Sequence, residues 1–267
     1  LGANDLIERN VKFIGDPQKR IEEDYLRILR FIRFSLEYES TIEQKTIEAV
    51  KLNLDGIIKI SKERVLSELF KILGTKNFIK LNENKSLKDI FSLIFPELKN
   101  LERLGKIDEI IDKSDLNNEL ILSMLLVDET NNQEYFCHKY HVSNDLKESL
   151  NLLRKNYLDF QSNKKFFEKE LRKNIYFYGK KHLLTLNVLY FLSFKKVKLQ
   201  EYFKISKNIK KMVIPKLPFD GNFLKKNGMK EGTLIGKTLK MIEQEWLDND
   251  FQISETRVVK IIEDHNN

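Results

Sequence analysis

A stripe of charged side chains recurs at every third position of an otherwise apolar segment: Asp24, Arg27, Arg30 and Arg33. On a helix of about 3.6 residues per turn, this spacing puts one carboxylate and three guanidinium groups on a single, slowly drifting face. An unpaired charge is expensive to bury among apolar residues, so these groups need partners. The pattern indicates either a pocket wall that receives an anion or a ladder of salt bridges in which Arg20 pairs with Asp24 and Glu23 pairs with Arg27.

The element that must carry this stripe is a helix that starts at Asp16-Pro17 and runs to about Leu36. Asp is a favoured N-cap residue, and proline is favoured at the first helical position. From Tyr25 to Leu36 nearly every residue other than the arginines is apolar. This composition is typical of a buried helix.

Glycine and proline are scarce, at 10 and 4 of 267 residues, which favours helices over sandwiches and barrels. The clearest further helix is predicted over Lys62–Leu73, between a Ser61 cap and Gly74. We find no period-2 run long enough for a sheet, so the predicted fold is all-α with no substantial sheet. The remaining helices are predicted over residues 46–53, 86–95, 98–104, 118–128, 133–140, 143–157, 164–178, 181–194, 201–208, 234–247 and 254–263.

The composition bounds the class of protein. Hydrophobic residues make up 41% of the chain and charged residues 33%, which is enough apolar material for a folded core. Cys137 is the single cysteine, which excludes an internal disulfide and favours a reducing, cytoplasmic setting. No apolar run of about 18 residues is present, so we predict no membrane span. The chain begins without methionine, and we expect it to be a piece of something longer.

Positive charge is concentrated in residues 164–216, which carry 15 lysines and arginines against three acidic residues, a net charge of +12. The whole chain carries +7, so the rest is mildly acidic. A local excess of this size suggests a polyanionic partner such as a nucleic acid. Aromatic residues are interleaved with the lysines and could stack on unpaired bases. We favour the alternative interpretation, in which these aromatic side chains form a helical core.

Three short motifs are poor candidates for chemistry. Cys137-His138 with His141 offers one thiolate and two imidazoles but lacks a fourth zinc ligand, so we interpret it as helix surface. Asp248-Asn249-Asp250 has no strand pattern and is interpreted as a helix end. Gly232 and Gly236 enclose only three residues where a phosphate-binding loop has four, which indicates a hairpin. We therefore predict neither a catalytic residue nor a metal ligand in this chain.

The segment 16–34 resembles the neck motif of class II tRNA nucleotidyltransferases, which are the bacterial CCA-adding enzymes and their poly(A) polymerase relatives. The matching residues are Asp16-Pro17, Arg20-Ile21-Glu22-Glu23-Asp24, Leu26-Arg27-Ile28-Leu29-Arg30 and Ile32-Arg33-Phe34. Later segments are similar to the family's next neck helix, the opening of its body and its C-terminal hairpin: 61–73, 95–98, and 221–239 with Trp246. The resemblance extends from about Asp5 to Phe251, without a residue-level match over 106–214.

The resemblance implies that Asp24 and Arg27 read the base of an incoming nucleotide. Cytosine and adenine each present an amino donor beside a ring-nitrogen acceptor, which suits a carboxylate beside a guanidinium group. Uracil and guanine mismatch both contacts, at about 1–3 kcal/mol each, so CTP and ATP are the implied substrates. Two further residues are implied to support the pair: Glu23 and Arg20. Two others are implied to support it or to contact the nucleotide: Arg30 and Arg33.

The resemblance also implies a linker (1–15), a nucleotide-selecting neck similar to an RNA- and SrmB-binding domain (16–75), a helical body (76–214) and a C-terminal helical hairpin or tail (215–267). tRNA is the implied partner. The candidate RNA contacts are six lysines: Lys195, Lys196, Lys225, Lys226, Lys230 and Lys237. The family holds Mg²⁺ on an Asp-x-Asp pair of an N-terminal head, after a Gly-Ser that this sequence lacks. We expect this chain to be inactive alone, with Mg²⁺ supplied through the head.

Two alternatives remain beside a CCA-adding enzyme. A poly(A) polymerase of the same family shares the neck motif, and the products formed in the presence of CTP would separate the two. A stand-alone, non-catalytic helical RNA-binding module is the alternative from another class. The adjoining genomic sequence would test it, because an upstream Gly-Ser followed by Asp-x-Asp would support the enzyme.

Overall fold

The computed structural model describes residues 9–111, 116–163, 165–230 and 232–266 of the chain. Within these ranges the regular elements are α-helices and short 3-10 helices, beside an isolated bridge between Asn10 and Thr41. The predicted all-α fold is therefore confirmed. None of the helices in these ranges is long and apolar enough to cross a membrane. The predicted linker 1–15 begins with residues 1–8, which lie outside the described ranges.

The predicted neck contains four α-helices and one 3-10 helix: α1 (Pro17–Glu23), α2 (Leu26–Glu37), α3 (Gln44–Leu52), a 3-10 helix (Leu54–Lys59) and α4 (Lys62–Leu73). The cap of α4 is as predicted, because the Ser61 hydroxyl accepts a hydrogen bond from the Arg64 N–H at 3.4 Å. Asp16 likewise accepts from the Lys19 N–H at 3.0 Å, with Pro17 in the first turn. Both helix starts follow from local capping chemistry.

The described residues of the predicted body form six α-helices and two 3-10 helices: a 3-10 helix (Phe78–Glu83), α5 (Lys85–Ile94), a 3-10 helix (Leu101–Glu109), α6 (Asn118–Leu126), α7 (Asn132–Tyr140), α8 (Asn144–Ser162), α9 (Leu171–Ser193) and α10 (Leu199–Lys211). The helix predicted from residue 164 begins at Leu171 instead. Asn163 explains the delay, because its side chain accepts from the Lys165 N–H at 3.0 Å and stabilises a turn. Gly179 interrupts α9 with φ 79° and ψ 160°, at the predicted break between two helices.

In the tail, three helices are formed by residues that the structure describes: α11 (Gly221–Lys226), α12 (Thr233–Asp248) and α13 (Glu255–Asn266). The Asp220 carboxylate caps α11 by accepting from the Phe223 N–H at 2.9 Å. Between α12 and α13 the chain turns through Asp250 and Phe251, which have positive φ angles of 50° and 66°. The predicted hairpin near Gly232 is the connection that leads into α12.

One hydrophobic core runs through the neck and body, from Ile21 to Ile209. It continues across residue 75, and the division of neck from body there stays a prediction. The tail has a separate core that includes Leu224, Ile242 and Ile262. A small aromatic cluster joins the tail to α9: Tyr176, Trp246 and Phe251.

Candidate functional site: the helix break at Asp24

The charged stripe does not lie on one helix, because the chain breaks between α1 and α2. Asp24 has an extended backbone, with φ −156° and ψ 103°, and α2 starts at Leu26. Our prediction of a continuous helix from 17 to 36 is therefore wrong. Asp24 instead accepts a hydrogen bond from the Leu26 N–H at 3.1 Å, at the start of α2. An Asp side chain stabilises a helix start better than a helix interior, which explains the break.

The break leaves the Asp24 carboxylate partly open to solvent and facing a residue of α4. Its side chain is 28% exposed. Arg64 Nη2 lies 3.4 Å from Oδ1 and 3.5 Å from Oδ2 of this carboxylate. Sequence reasoning assigned no role to Arg64, because the contact joins residues 40 positions apart. In the sequence, the position of Arg64 in the first turn of a capped helix is the signal that could have indicated such a role.

Arg27 is held by the end of α1, one turn from Asp24. Its Nη1 donates to the carbonyl oxygen of Arg20 at 2.6 Å and to Glu23 Oε2 at 2.7 Å. Glu23 also accepts from Arg20 Nη1 at 2.5 Å, so Arg20 pairs with Glu23 and not with Asp24 as predicted. The hydrogen bond from Arg27 holds the pKa of Glu23 below its ordinary value. Glu23 and Arg20 thus fix one edge of the Arg27 guanidinium group, and the Arg27 side chain stays 27% exposed.

The two later arginines of the stripe have different surroundings. Arg33 Nε donates to the buried Glu68 Oε1 at 2.6 Å, and its guanidinium carbon lies 4.2 Å from the centre of the Phe34 ring. Arg30 is exposed and forms no ion pair with any residue in the described ranges. The salt-bridge alternative therefore describes Arg33 well, whereas Arg30 remains available for a ligand. A nucleotide contact by either residue stays a prediction.

Tyr25 fills the break, and Gly56 makes room for it. A Cβ atom at Gly56 would lie 2.0 Å from Cδ1 and Cε1 of the Tyr25 ring, which is far inside van der Waals contact. Lys59 Nζ also lies 5.2 Å from the centre of this ring, within cation–π distance. The 3-10 helix Leu54–Lys59 therefore packs directly on the turn that carries Asp24.

The six candidate RNA-contacting lysines are all exposed, at several places on the molecule. Two lie in the turn after α9, two in α11, one after α11 and one in α12: Lys195, Lys196, Lys225, Lys226, Lys230 and Lys237. We predicted that the aromatic residues in 164–216 form a helical core. Four of them are buried, as predicted: Phe166, Phe167, Phe191 and Tyr202. Phe177 and Phe203 are exceptions, at 51% and 50% exposure.

The described residues do not fit Mg²⁺. No group of three or more His, Cys, Asp or Glu side chains in them is arranged to hold a metal ion. In the Asp-x-Asp segment, Asp248 lies 2.8 Å from Lys173 and Asp250 lies 3.4 Å from Arg172, so both carboxylates pair with α9. Our interpretation of the Cys137-His138 motif as helix surface is wrong for Cys137, which is buried, and burial raises the pKa of its thiol.

Comparisons with known proteins identify one matching family model and a set of similar enzymes. A family model described as the probable RNA and SrmB-binding site of polymerase A matches residues 41–101. The CCA-adding enzyme of Lactobacillus helveticus is 26% identical over 279 aligned positions, which cover 98% of this chain and 65% of that protein. This chain therefore spans about two thirds of the length of that relative.

Solved structures show the same fold. The CCA-adding enzyme of Bacillus stearothermophilus in complex with CTP has a TM-score of 0.67 at 18% identity, over 99% of this chain and 67% of that one. The Thermotoga maritima CCA-adding enzyme complexed with tRNA has a TM-score of 0.61 at 20% identity, over 98% and 66%. Over nearly its whole length the chain is therefore similar in sequence to a curated CCA-adding enzyme and in fold to solved CCA-adding enzymes.

Proposed function

We propose that this chain is the nucleotide-selecting and tRNA-binding portion of a CCA-adding tRNA nucleotidyltransferase. The proposal rests on two side chains that lie within one turn of each other at the start of α2. Asp24 presents an accessible carboxylate, and Arg27 presents a guanidinium group that is held in place. The CTP complex of the similar Bacillus enzyme supports the choice of substrate.

The base-reading chemistry follows from what each group still offers. The Asp24 carboxylate has about four acceptor sites, and the Leu26 N–H and Arg64 occupy only part of them. It can therefore accept from the exocyclic amine of cytosine or adenine. The Arg27 guanidinium group uses Nη1 for Arg20 and Glu23, which leaves its other N–H donors for the ring nitrogen.

Arg64 is a positioning residue in this proposal. Its guanidinium group approaches both carboxylate oxygens of Asp24 from α4, and it is 53% exposed. The contact links the carboxylate at the start of α2 to α4 and so restrains its position. Arg30 lies one further turn along α2 and supplies an exposed positive charge for the nucleotide.

The tRNA-binding part of the proposal rests on charge. Lys195 and Lys196 lie exposed within the basic stretch 164–216, and the tail adds four more exposed lysines. Each lysine that contacts a phosphate releases counterions, so binding to tRNA should weaken steeply as salt rises. Reversal of charge at Lys195 and Lys196 should weaken binding, whereas unchanged binding would remove this turn from the RNA surface. The tRNA complex of the similar Thermotoga enzyme supports this partner.

The test compares nucleotide selectivity in an enzyme that joins this chain to a nucleotidyltransferase head carrying Mg²⁺. Asp24→Ala should reduce the preference of kcat/KM for CTP and ATP over UTP and GTP by about 10- to 100-fold, because an amine loses its acceptor. Asp24→Asn keeps a capping oxygen for Leu26, so loss of selectivity in both variants separates base reading from helix capping. Asp89→Ala, an exposed change on α5, is the matched control. Unchanged selectivity in Asp24→Ala would refute the assignment.

A poly(A) polymerase is the second candidate, favoured by the match of residues 41–101 to the RNA-binding site of polymerase A. The same assembled enzyme separates the two functions. With tRNA lacking its 3′ end and with both nucleotides present, addition of C, C and A supports the first proposal. A long run of A alone supports the second.

A further inference from the structure

A cavity of about 620 Å³ opens in the body. Helices α6, α8, α9 and α10 form its walls, and part of its lining is apolar: Leu120, Leu153, Leu184 and Val188. The volume falls in the range of small-molecule sites, which is about 300–1,000 Å³. Nothing in the sequence reasoning pointed to it, because its lining comes from residues between 110 and 210.

An ion pair crosses one side of the mouth. Lys181 Nζ of α9 lies 2.7 Å from Glu119 Oε2 of α6, and Ser149 Oγ donates to Glu119 Oε1 at 3.0 Å. The hydrogen bond from Lys181 holds the pKa of Glu119 below its ordinary value, so this carboxylate stays charged and compensated. Lys210 of α10 also lines the cavity and is exposed. The mouth therefore has an excess of positive charge.

The inner wall carries aromatic rings with polar edges. His182 lies with its ring centre 5.6 Å from that of Tyr178, and both line the cavity. Asn156 is fully buried, and its Nδ2 lies 2.9 Å from His182 Nε2. Burial lowers the pKa of His182 to about 4, so the ring is neutral at pH 7. Phe203 of α10 completes the wall and is half exposed, unlike the core aromatics beside it.

A hydroxyl group in the wall is left with acceptor capacity. Thr185 of α9 is partly exposed, and it donates to the carbonyl oxygen of Lys181, one turn earlier in its helix. With its proton so used, the Thr185 oxygen still has lone pairs that can accept from an amine. The combination is an apolar and aromatic pocket with a hydroxyl acceptor in its wall and lysines at its mouth. It matches a ligand that has a flat ring with an amino group at one end and a phosphate at the other.

We propose that this cavity binds a nucleotide whose amine-bearing base lies against Tyr178, His182 and Phe203. The phosphate would contact Lys181 and Lys210 at the mouth. Two sources have this chemistry: a free mononucleotide, and an unpaired nucleotide of an RNA chain. The second source rests on the proposed tRNA-binding function. It fits the position of the cavity on α9 and α10, which carry most of the +12 stretch.

The test uses the full 267-residue chain with two probes. AMP, with UMP for comparison, represents the free nucleotide, and its binding is measured by calorimetry. A single-stranded octamer of adenosines with a central 2-aminopurine represents the chain, and its fluorescence reports stacking on the aromatic wall. Tight binding of AMP alone identifies a free mononucleotide, and quenching of the octamer alone identifies RNA. Binding of neither probe by the wild-type chain would overturn the proposal.

Two pairs of variants localise the binding. Thr185→Trp fills the cavity and should weaken the bound probe at least about tenfold, whereas Phe177→Trp adds an indole to the exposed face of the same helix and should not. Lys210→Gln should weaken binding several-fold and reduce the salt slope by about 0.7, the value for one single-strand phosphate contact. Lys155→Gln removes the same charge from α8 outside the cavity and should leave both unchanged.

These outcomes are independent of the fate of the proposed function. Binding of tRNA is measured on the same proteins by filter retention. One outcome would overturn the cavity proposal alone. In it, the wild-type chain retains tRNA, and Thr185→Trp and Lys210→Gln bind the probes as tightly as the wild type does. If Thr185→Trp fails to fold by circular dichroism, the lysine pair decides the result.

Discussion

The neck and the tail both present charged side chains to solvent, but they are held in different ways. Helix α2 lies in the core that the neck shares with the body, with Ile28, Leu29 and Ile32 fully buried. The tail has its own small core and contacts α9 through Trp246, Phe251 and a few ion pairs. A segment in a shared core opens only with the whole, whereas a segment with a separate core can open locally.

This difference matches the two tasks that we propose. Base reading distinguishes amines from carbonyls, so Asp24 and Arg27 need positions fixed to within a fraction of an ångström. Phosphate contacts by tail lysines need only a charged surface at roughly the right place. The neck is therefore built around ion pairs and close packing, and the tail around an attachment that can be released on its own.

The largest expected effect comes from the tail attachment. Trp246→Ala removes a side chain that is 2% exposed and packs on Tyr176 and Phe251, so it should cost about 3–5 kcal/mol. Hydrogen exchange should accelerate across α12 and α13 while α2 stays protected. Met241→Ala, at a half-exposed position of α12, is the control. Equal loss of protection in α2 would break the distinction between shared and separate cores.

The next effect is in the neck. Glu68→Gln removes a carboxylate that is 2% exposed and accepts from Arg33 at 2.6 Å. Because Arg33 is itself 20% exposed and partly hydrated, the expected cost is about 2 kcal/mol, below that of a fully buried pair. Urea unfolding should show one cooperative transition at a lower midpoint. Glu37→Gln, which alters the longer 3.7 Å contact of the same arginine, should change the midpoint little.

A smaller effect is expected at the break itself. Gly56→Ala forces the Tyr25 ring away, at about 1–2 kcal/mol for overpacking, and should also reduce the selectivity for CTP because Asp24 is the adjacent residue. Gly105→Ala has no atom within 4 Å of the new Cβ and should be nearly neutral. Lower stability with unchanged selectivity would separate the packing of Tyr25 from base reading.

The smallest effect tests what holds the tail. Lys173→Ala breaks the 2.8 Å contact with Asp248, but both side chains are more than a third exposed, so the loss should stay below about 1 kcal/mol. The rate of hydrogen exchange in α12 of this variant should be almost that of the wild type. In 1 M salt, the wild-type α12 should stay protected from exchange. A loss as large as that of Trp246→Ala would show that charge, rather than aromatic packing, attaches it.

The predictions from sequence succeeded where the signal was local. The bounds of α4 were predicted correctly, because Ser61 and Gly74 mark its ends by capping. The break in α9 followed from Gly179, whose φ of 79° few other residues adopt at low cost. The buried aromatics of the basic stretch were also predicted, since helical spacing and apolar neighbours place them inside.

The predictions failed where tertiary structure decides. The apolar pattern continues unbroken through residue 24, so periodicity alone favoured one helix over two. The sequence around Asp24 is equally compatible with a position on a helix surface and with a position at a helix start. The packing of Tyr25 on Gly56 favours the helix start. The contacts Arg64–Asp24 and Arg33–Glu68 join residues 40 and 35 positions apart, which spacing along a helix does not reveal.

The break at Asp24 also fixes the reference point from which the register of α2 is counted. Asp24 anchors the first turn of α2, so the angular positions of Arg27 and Arg30 depend on the number of residues after Asp24 and not on the length of α1. One residue inserted between Asp24 and Arg27 would rotate the guanidinium group by about 100°. One residue inserted near Pro17 would leave that angle intact. Related chains should therefore tolerate length changes before Asp24 and exclude them immediately after it.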